Sequence, residues 1–76
     1  MSLELVTYIV SNLVDEPDHL KIEAEQEEGS LEIHIRCAPN DAGRIIGRGG
    51  RIINSIRTLA RASSDGRQRI EVQLID

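Results

Sequence analysis

The residues best suited to chemistry lie between Ile45 and Ile56, where a glycine-rich basic turn separates two isoleucine-rich runs. Three glycines within residues 47–50 resist regular structure while the branched side chains around them favour it, which predicts two short helices joined by a tight, exposed turn. Backbone N–H groups at the start of the second helix have no partner inside that helix and lie at the positive end of its dipole. Because Arg48 and Arg51 add positive charge beside these groups, the turn is a candidate phosphate-binding site.

Other phosphate-binding and catalytic patterns do not fit this sequence. A P-loop requires Gly-Lys-Ser/Thr, and a dinucleotide-binding loop requires G-x-G-x-x-G after a strand; the turn has neither pattern. No Ser-His-acid or Cys-His arrangement has support from the sequence. His19 and His34 are predicted to be surface strand residues rather than metal ligands, and Cys37 a small core residue. The sequence therefore predicts a protein that is not an enzyme and that has no cofactor and no metal site.

Charge is distributed unevenly along the chain, whose formal net charge is −4. Residues 1–32 hold nine acidic residues and one lysine, whereas residues 33–76 hold eight arginines and four acidic residues. Five arginines and no acidic residue lie from Arg44 to Arg61, so the second half can bind a polyanion despite the acidic total. With one Tyr and no Phe or Trp, the chain is not expected to bind bases by stacking them on aromatic rings.

The length of 76 residues predicts a single domain with a small core. No apolar run approaches the roughly 20 residues that a membrane-spanning helix needs, and there is no signal-like segment. A lone cysteine excludes a disulfide framework, so we expect a reducing, cytoplasmic setting.

The first half of the chain predicts a helix followed by a β-hairpin. Apolar residues at helical spacing indicate a helix over residues 3–14, with Ser2 as its N-cap and Pro17 just beyond its end. Alternating patterns indicate strands over residues 19–28 and 31–37. Their inward residues are Leu20, Ile22, Ala24, Leu31, Ile33, Ile35 and Cys37. With Gly29-Ser30 as a two-residue loop, Glu23 would face Arg36 and Glu25 would face His34.

The second half predicts two helices around the turn and a final strand. Asn40 or Asp41 is expected to cap a short helix, Ala42–Ile46, and a longer helix is expected over residues 51–63. Its buried face would contain Ile52, Ile53, Ile56, Leu59 and Ala60, and its polar face Asn54, Arg57 and Arg61. Asp65-Gly66 predicts a stop, and residues 67–75 a third strand parallel to the second. The expected fold is a two-layer α+β domain with helices on one face of a three-stranded mixed sheet.

Residues 46–56 match the pattern I-G-x-x-G-x-x-I-x-x-I, which resembles the signature of the KH domain. The preceding helix and strand resemble the type II arrangement of that domain, with the order α-β-β-α-α-β. The resemblance covers residues 1–76, with the core β-α-GxxG-α-β unit at 31–75. The chain is similar to the small single-KH proteins of bacteria that form the KhpA family, also called YlqC.

The resemblance implies non-catalytic binding of single-stranded RNA through the GxxG loop, which clamps about four nucleotides in KH domains. It further implies the role of an RNA chaperone or post-transcriptional regulator, without membrane association. A homodimer, or a heterodimer with a larger KH-family RNA-binding protein, is also implied. The implied RNA-binding residues are Gly47, Arg48, Gly49, Gly50, Arg51 and Arg44, with Ile46 and Ile53 beside an apolar groove.

Simpler interpretations accompany these assignments. Ile46 and Ile53 also have the helical spacing of core residues, and Arg57 and Arg61 could form either a solvated helix face or an RNA contact. Gly49 departs from the basic or polar residue expected inside the loop, which predicts one phosphate contact fewer and loose binding. The alternative function is a protein–protein adaptor of KH fold with little or no RNA binding.

Overall fold

Three strands form a mixed sheet, and helices cover one of its faces. The computed structural model describes residues 1–64, 66 and 68–75. Its elements, in chain order, are α1 (Ser2–Ser11), β1 (Lys21–Glu27), β2 (Ser30–Arg36), α2 (Ala42–Ile46), α3 (Arg51–Ala62) and β3 (Arg69–Leu74). Single 3₁₀ turns occupy Pro17–His19, Pro39–Asp41 and Arg48–Gly50. The predicted α+β class and element order are confirmed.

The strands lie in the order β1-β2-β3, with β2 in the centre. β1 and β2 are antiparallel neighbours in a hairpin, whereas β2 and β3 run parallel. Parallel neighbours require a crossover connection, and α2, residues 47–50 and α3 provide it. The glycine-rich segment therefore lies within the crossover.

The register of the hairpin differs from the sequence prediction. Glu27 pairs with Ser30, so the loop is Glu28-Gly29, and Glu23 lies opposite His34. Gly29 has a φ of 78°, a conformation that turns accept at their second central position, so the glycine ends the loop instead of starting it. The predicted pairs of Glu23 with Arg36 and of Glu25 with His34 are therefore wrong. Arg36 lies opposite Lys21, and Glu25 lies opposite Glu32.

Helix α1 begins and ends earlier than predicted. Met1 occupies the N-cap position, and Ser2 is a buried helical residue instead of the predicted cap. The Ser2 hydroxyl donates to the Ala60 carbonyl at 3.0 Å, which joins the start of α1 to the end of α3. Asn12 ends the helix, and its side-chain amide donates to the Tyr8 carbonyl at 2.7 Å, a local bond that competes with further helix formation.

The core consists of aliphatic residues from every helix and from β2 and β3. Its buried members are Val6, Val10, Ile33, Ile35, Ile45, Ile53, Ile56, Ala60, Ile70 and Val72. Complete burial of one isoleucine side chain stabilises the fold by about 1.5–3 kcal/mol relative to exposure. Leu59 was predicted to be buried but is 49% exposed, because it lies about a quarter-turn from the centre of the buried stripe of α3.

The remaining differences concern the ends of elements and one strand face. β1 is shorter than predicted because Pro17–His19 forms a 3₁₀ turn, and Ala24, predicted to point inward, is exposed. Of the predicted Asp65-Gly66 turn, Asp65 lies outside the described residues, and Gly66 has a φ of 81°. Around it, α3 ends at Ala62 and β3 begins at Arg69.

Candidate nucleic-acid interface

Residues 47–50, hereafter the glycine turn, join α2 to α3 in a conformation that depends on positive φ angles. Gly47, Gly49 and Gly50 have φ values of 76°, 65° and 80°, which L side chains adopt at a cost. The Gly47 N–H closes α2 by donating to the Gly43 carbonyl at 2.9 Å, and the Gly50 N–H donates to the Gly47 carbonyl at 3.1 Å. The turn reverses the chain within one 3₁₀ turn and leads directly into α3.

The glycines of the turn differ in their surroundings. A Cβ atom on Gly47 would lie 2.8 Å from the backbone N of Ile52 and 2.6 Å from its Cγ1, closer than real Cβ contacts occur. A Cβ on Gly49 would have no atom within 4 Å, and one on Gly50 would lie 3.5 Å from the Asn54 Nδ2. Gly47 is thus required by close packing against the start of α3, whereas Gly49 faces open space.

Backbone N–H groups make the turn suitable for an anion. The Arg51 N–H donates to the Arg48 carbonyl, so it is already used within the turn. Within the described part of the chain, neither the Arg48 nor the Gly49 N–H has a hydrogen-bond acceptor. Two adjacent donors without acceptors, next to the positive end of the α3 dipole, form a site that favours phosphate.

The arginines predicted for the site do not share one environment. Arg48 and Arg51 are exposed, and the described residues provide no ion-pair partner for either. Arg44 forms ion pairs with Asp15 at 3.2 Å and with Asp41 at 3.4 Å. The free positive charge near the turn therefore comes from Arg48 and Arg51.

Asp41 explains why Arg44 is held in place. Its carboxylate is fully buried and accepts the Asp15 N–H at 2.9 Å and the Glu16 N–H at 3.0 Å. The Asp15 hydrogen bond, followed by the Glu16 hydrogen bond and the Arg44 guanidinium, lowers the pKa of Asp41 despite its burial. Asp41 does occupy the predicted N-cap position of α2, but its side chain makes no cap bond. It fixes the connection between α1 and β1 instead, a long-range role that the local Pro-Asn-Asp pattern does not reveal.

The two isoleucines predicted to lie beside the turn differ in how far they are buried. Ile46 is 39% exposed at the end of α2, whereas Ile53 is 6% exposed and belongs to the core. Ile46 is therefore the member of the pair that a ligand can contact directly. Ile53 can act only by anchoring α3 beneath the turn.

Two further arginines of α3 bind the edge of the sheet. The Arg57 Nε donates to the Val72 carbonyl at 3.0 Å, and the Arg61 Nε donates to the Ile70 carbonyl at 3.2 Å. Arg57 also donates to the Asn54 side chain at 2.9 Å. We call these contacts the α3–β3 seam. The sequence predicts a solvated face or an RNA contact for these side chains. It does not reveal this structural role, which depends on the packing of α3 against β3.

The described residues contain no cluster of three or more His, Cys, Asp or Glu side chains that could hold a metal ion. No helix in the described part of the chain is both long enough and apolar enough to span a membrane. The glycine turn, with its free donors and exposed arginines, is a candidate ligand-binding site.

Comparison with known proteins gives consistent matches over nearly the whole chain. The family model for the KhpA/KhpB KH domain matches residues 3–75. The RNA-binding protein KhpA of Leifsonia xyli subsp. xyli is 38% identical over 71 residues, which cover 93% of this chain and 92% of that protein. The RNA-binding protein KhpA of Oceanobacillus iheyensis is 39% identical over 72 residues, with 93% and 96% covered. That of Treponema pallidum is 38% identical over 77 residues, with 100% and 96% covered. No solved structure matches the chain.

Proposed function

Since this chain belongs to the KhpA/KhpB KH-domain family, we propose that it binds single-stranded RNA and that the glycine turn contacts the RNA backbone. The relatives carry the name RNA-binding protein, and their similarity extends across the turn. The observation that carries the proposal is the pair of free N–H groups at Arg48 and Gly49, flanked by the exposed side chains of Arg48 and Arg51.

Each predicted site residue has a distinct part in this proposal, except Arg44, which is paired with Asp15 and Asp41. Gly47 allows α3 to start close to the end of α2, and Gly49 and Gly50 keep the surface of the turn free of side chains. The Arg48 and Gly49 N–H groups bind one phosphate, and the Arg48 and Arg51 guanidinium groups attract neighbouring phosphates. Ile46 offers apolar contact beside the turn, and Ile53 supports it from the core.

The wider role follows from the same site. Residues 1–76 act as one KH domain whose core unit is 31–75, and the function is non-catalytic. Loose contact with the RNA backbone suits an RNA chaperone or post-transcriptional regulator in the cytoplasm. A homodimer, or a heterodimer with a larger KH-family RNA-binding protein, would increase affinity by adding a second RNA site.

The test places two negative charges where the phosphate is expected. An Arg48→Asp, Gly49→Asp double variant should lose binding to a fluorescently labelled single-stranded RNA, measured by anisotropy. The matched control is Arg48→Asn, Gly49→Asn, which has similar side-chain shapes and no added charge; Asn and Asp both tolerate the left-handed conformation of residue 49. The control should weaken binding but retain it. Strain at residue 49 should lower the free energy of unfolding by about 1 kcal/mol in both variants, and the two losses should be equal.

Salt dependence distinguishes RNA binding from the adaptor alternative. With about two phosphates neutralised, by Arg48 and Arg51, a fourfold rise in salt should weaken binding about sevenfold. Binding by the Asp double variant equal to that of the parent would exclude the glycine turn as the RNA contact. If the parent binds no single-stranded RNA at low salt, the adaptor function is favoured instead.

A further inference from the structure

The two edges of the sheet differ in whether their hydrogen-bonding groups are occupied. At the β3 edge, the Ile70 and Val72 carbonyls that point away from β2 accept the Arg61 and Arg57 side chains. Charged groups placed on an edge are a device by which proteins prevent further strand pairing. The α3–β3 seam therefore closes that edge.

The β1 edge is open, and the register identifies its free groups. The Arg69 N–H donates to the Gly29 carbonyl and the Ile75 N–H donates to the Ile35 carbonyl, so the odd-numbered residues of β2 face β3. The even-numbered residues of β2 consequently bond to their partners in β1, from Ser30 with Glu27 to Arg36 with Lys21. The backbone groups of Ile22, Ala24 and Gln26 then point outward, and no described residue provides a partner for them. We call these groups the open edge.

The open edge has the form of a template for strand addition that no described residue covers and that only its own charged side chains protect. β1 is seven residues long, contains no proline and keeps an unbroken register with β2. Strands of this type are usually shortened, bulged or covered unless another strand binds to them. On its helix side, a cavity of about 540 Å³ lies beside Leu3, Ala24, Gln26 and Leu31. Because Ala24 is exposed and lines this cavity, a partner's side chains have room to pack there.

The other face of β1 is acidic. Glu23, Glu25 and Glu27 alternate along the strand and are exposed, and Glu32 lies directly opposite Glu25 on β2. Like charges at such opposed positions destabilise a sheet. Lys21 lies 3.8 Å from Glu23 and the His34 Nε2 lies 3.0 Å from the Glu32 Oε1, so Glu25 and Glu27 are the carboxylates of this face that have no ion-pair partner among the described residues. A strand added at the open edge would place every second side chain next to these glutamates.

We propose that the open edge binds an extended peptide segment of a partner protein by strand addition, and that this segment alternates basic and apolar residues. Its backbone would pair with Ile22, Ala24 and Gln26, its basic side chains would neutralise Glu23, Glu25 and Glu27, and its apolar side chains would enter the cavity. About five to seven residues, an ordinary strand length, would match β1. The inference uses elements separate from the glycine turn and does not depend on RNA binding.

A second copy of this chain is a poorer occupant of the open edge. Pairing two β1 strands would bring Glu23, Glu25 and Glu27 of one copy beside the same acidic residues of the other. The charge pattern favours a basic segment instead. RNA is also disfavoured because its phosphates would meet the same glutamates.

The first test uses a defined probe and the protein as it is. Peptides of the sequence Lys-Val-Lys-Val-Lys-Val-Lys and Glu-Val-Glu-Val-Glu-Val-Glu are titrated into labelled protein while amide hydrogen exchange is followed by NMR. The lysine peptide should slow exchange at Ile22, Ala24 and Gln26, and it should bind at least about tenfold more tightly than the glutamate peptide. Protection elsewhere only, or equal binding of both peptides, overturns the proposal.

A variant separates strand addition from simple charge attraction. Ala24→Pro removes one outward N–H without removing a β1–β2 hydrogen bond, a placement that edge strands tolerate. It should abolish binding of the lysine peptide, whereas Ala24→Thr, which retains the N–H, should bind as the parent does. Retained binding in a folded Ala24→Pro variant contradicts the proposal. So does protection of the same amides by RNA, or by raising the protein concentration without peptide, which would indicate a second copy.

Discussion

The glycine turn and the α3–β3 seam present the same kind of side chain in opposite states. At the turn, Arg48 and Arg51 are exposed and have no ion-pair partner among the described residues. At the seam, about two and three helical turns further along α3, Arg57 and Arg61 donate to the carbonyls of β3. The glycine turn and the start of α3 therefore carry arginines that can bind a ligand, whereas later arginines of the same helix stabilise the sheet.

The comparison shows that the number of arginines overstates the charge available for binding. Five arginines lie from Arg44 to Arg61, yet two belong to the seam and Arg44 is paired with Asp15 and Asp41. A guanidinium that already donates to a carbonyl or carboxylate must lose that bond before it can bind a phosphate. The contrast between the two regions can be tested by disrupting each in turn.

The largest effect is expected from disrupting the turn itself. Gly47→Ala should destabilise the protein by about 3 kcal/mol, because strain at positive φ adds to overpacking against Ile52. Urea unfolding followed by circular dichroism measures this change. Gly49→Ala is the control: its φ is also positive but its surroundings are open, so about 1 kcal/mol is expected. Equal losses in the two variants would show that packing against Ile52 is not what requires glycine at residue 47.

The next prediction concerns Arg44. The sequence predicts that it binds RNA, whereas the structure pairs it with Asp15 and Asp41. Asp41→Asn should lower the melting temperature at neutral pH, because a neutral amide cannot hold Arg44 and accept both backbone N–H groups as well. The folded-state pKa of Asp41 is lowered below its unfolded value of about 3.9, so the stabilisation is present above that value and is lost as the pH falls through the folded pKa.

The stability difference between parent and Asp41→Asn should therefore be large at about pH 7 and shrink below about pH 4. Asp15→Asn is the matched control. It removes only an exposed partner of Arg44 and should change the melting temperature little at either pH. A difference that is independent of pH would contradict an ionised, hydrogen-bonded Asp41.

Much of the fold follows from periodicity in the sequence. Alternation defined the strands, helical spacing defined α1 and α3, and the bounds of α2 were predicted to the residue. The errors came from interactions that a local pattern does not contain. Ser2 has the residue type of an N-cap, but its hydroxyl bonds to Ala60, 58 residues further along the chain. The positive φ of Gly29 decided the hairpin register.

The sequence predicted where the candidate site lies, but only some of the residues that are available there to bind a ligand. The spacing of glycines among isoleucines located the turn, because few other structures accommodate both. Which arginines are free could not be derived in the same way. The partners of Arg44, Arg57 and Arg61 are a buried carboxylate and the carbonyls of a strand, and only the folded arrangement brings them close.

A smaller effect on stability is expected from removing the seam. The double variant Arg57→Ala, Arg61→Ala should destabilise the protein by about 2 kcal/mol, since each hydrogen bond to β3 contributes about 1 kcal/mol net. Its RNA affinity should stay close to that of the parent when measured below the unfolding transition. A strong loss of RNA affinity in the folded variant would move the seam arginines into the binding site.

The smallest effect is expected from a single free arginine, and it tests the contrast most directly. Arg48→Ala should leave stability within about 0.5 kcal/mol of the parent because its side chain is exposed. It should weaken RNA binding about fivefold, or about 1 kcal/mol, and reduce the salt slope by about 0.7, the contribution of one phosphate on a single strand. Arg57→Ala, studied by the same anisotropy titrations, should leave the slope unchanged. If the slope falls for Arg57→Ala and not for Arg48→Ala, the phosphate-binding charge lies at the seam, because only a side chain that neutralises a phosphate contributes to this slope.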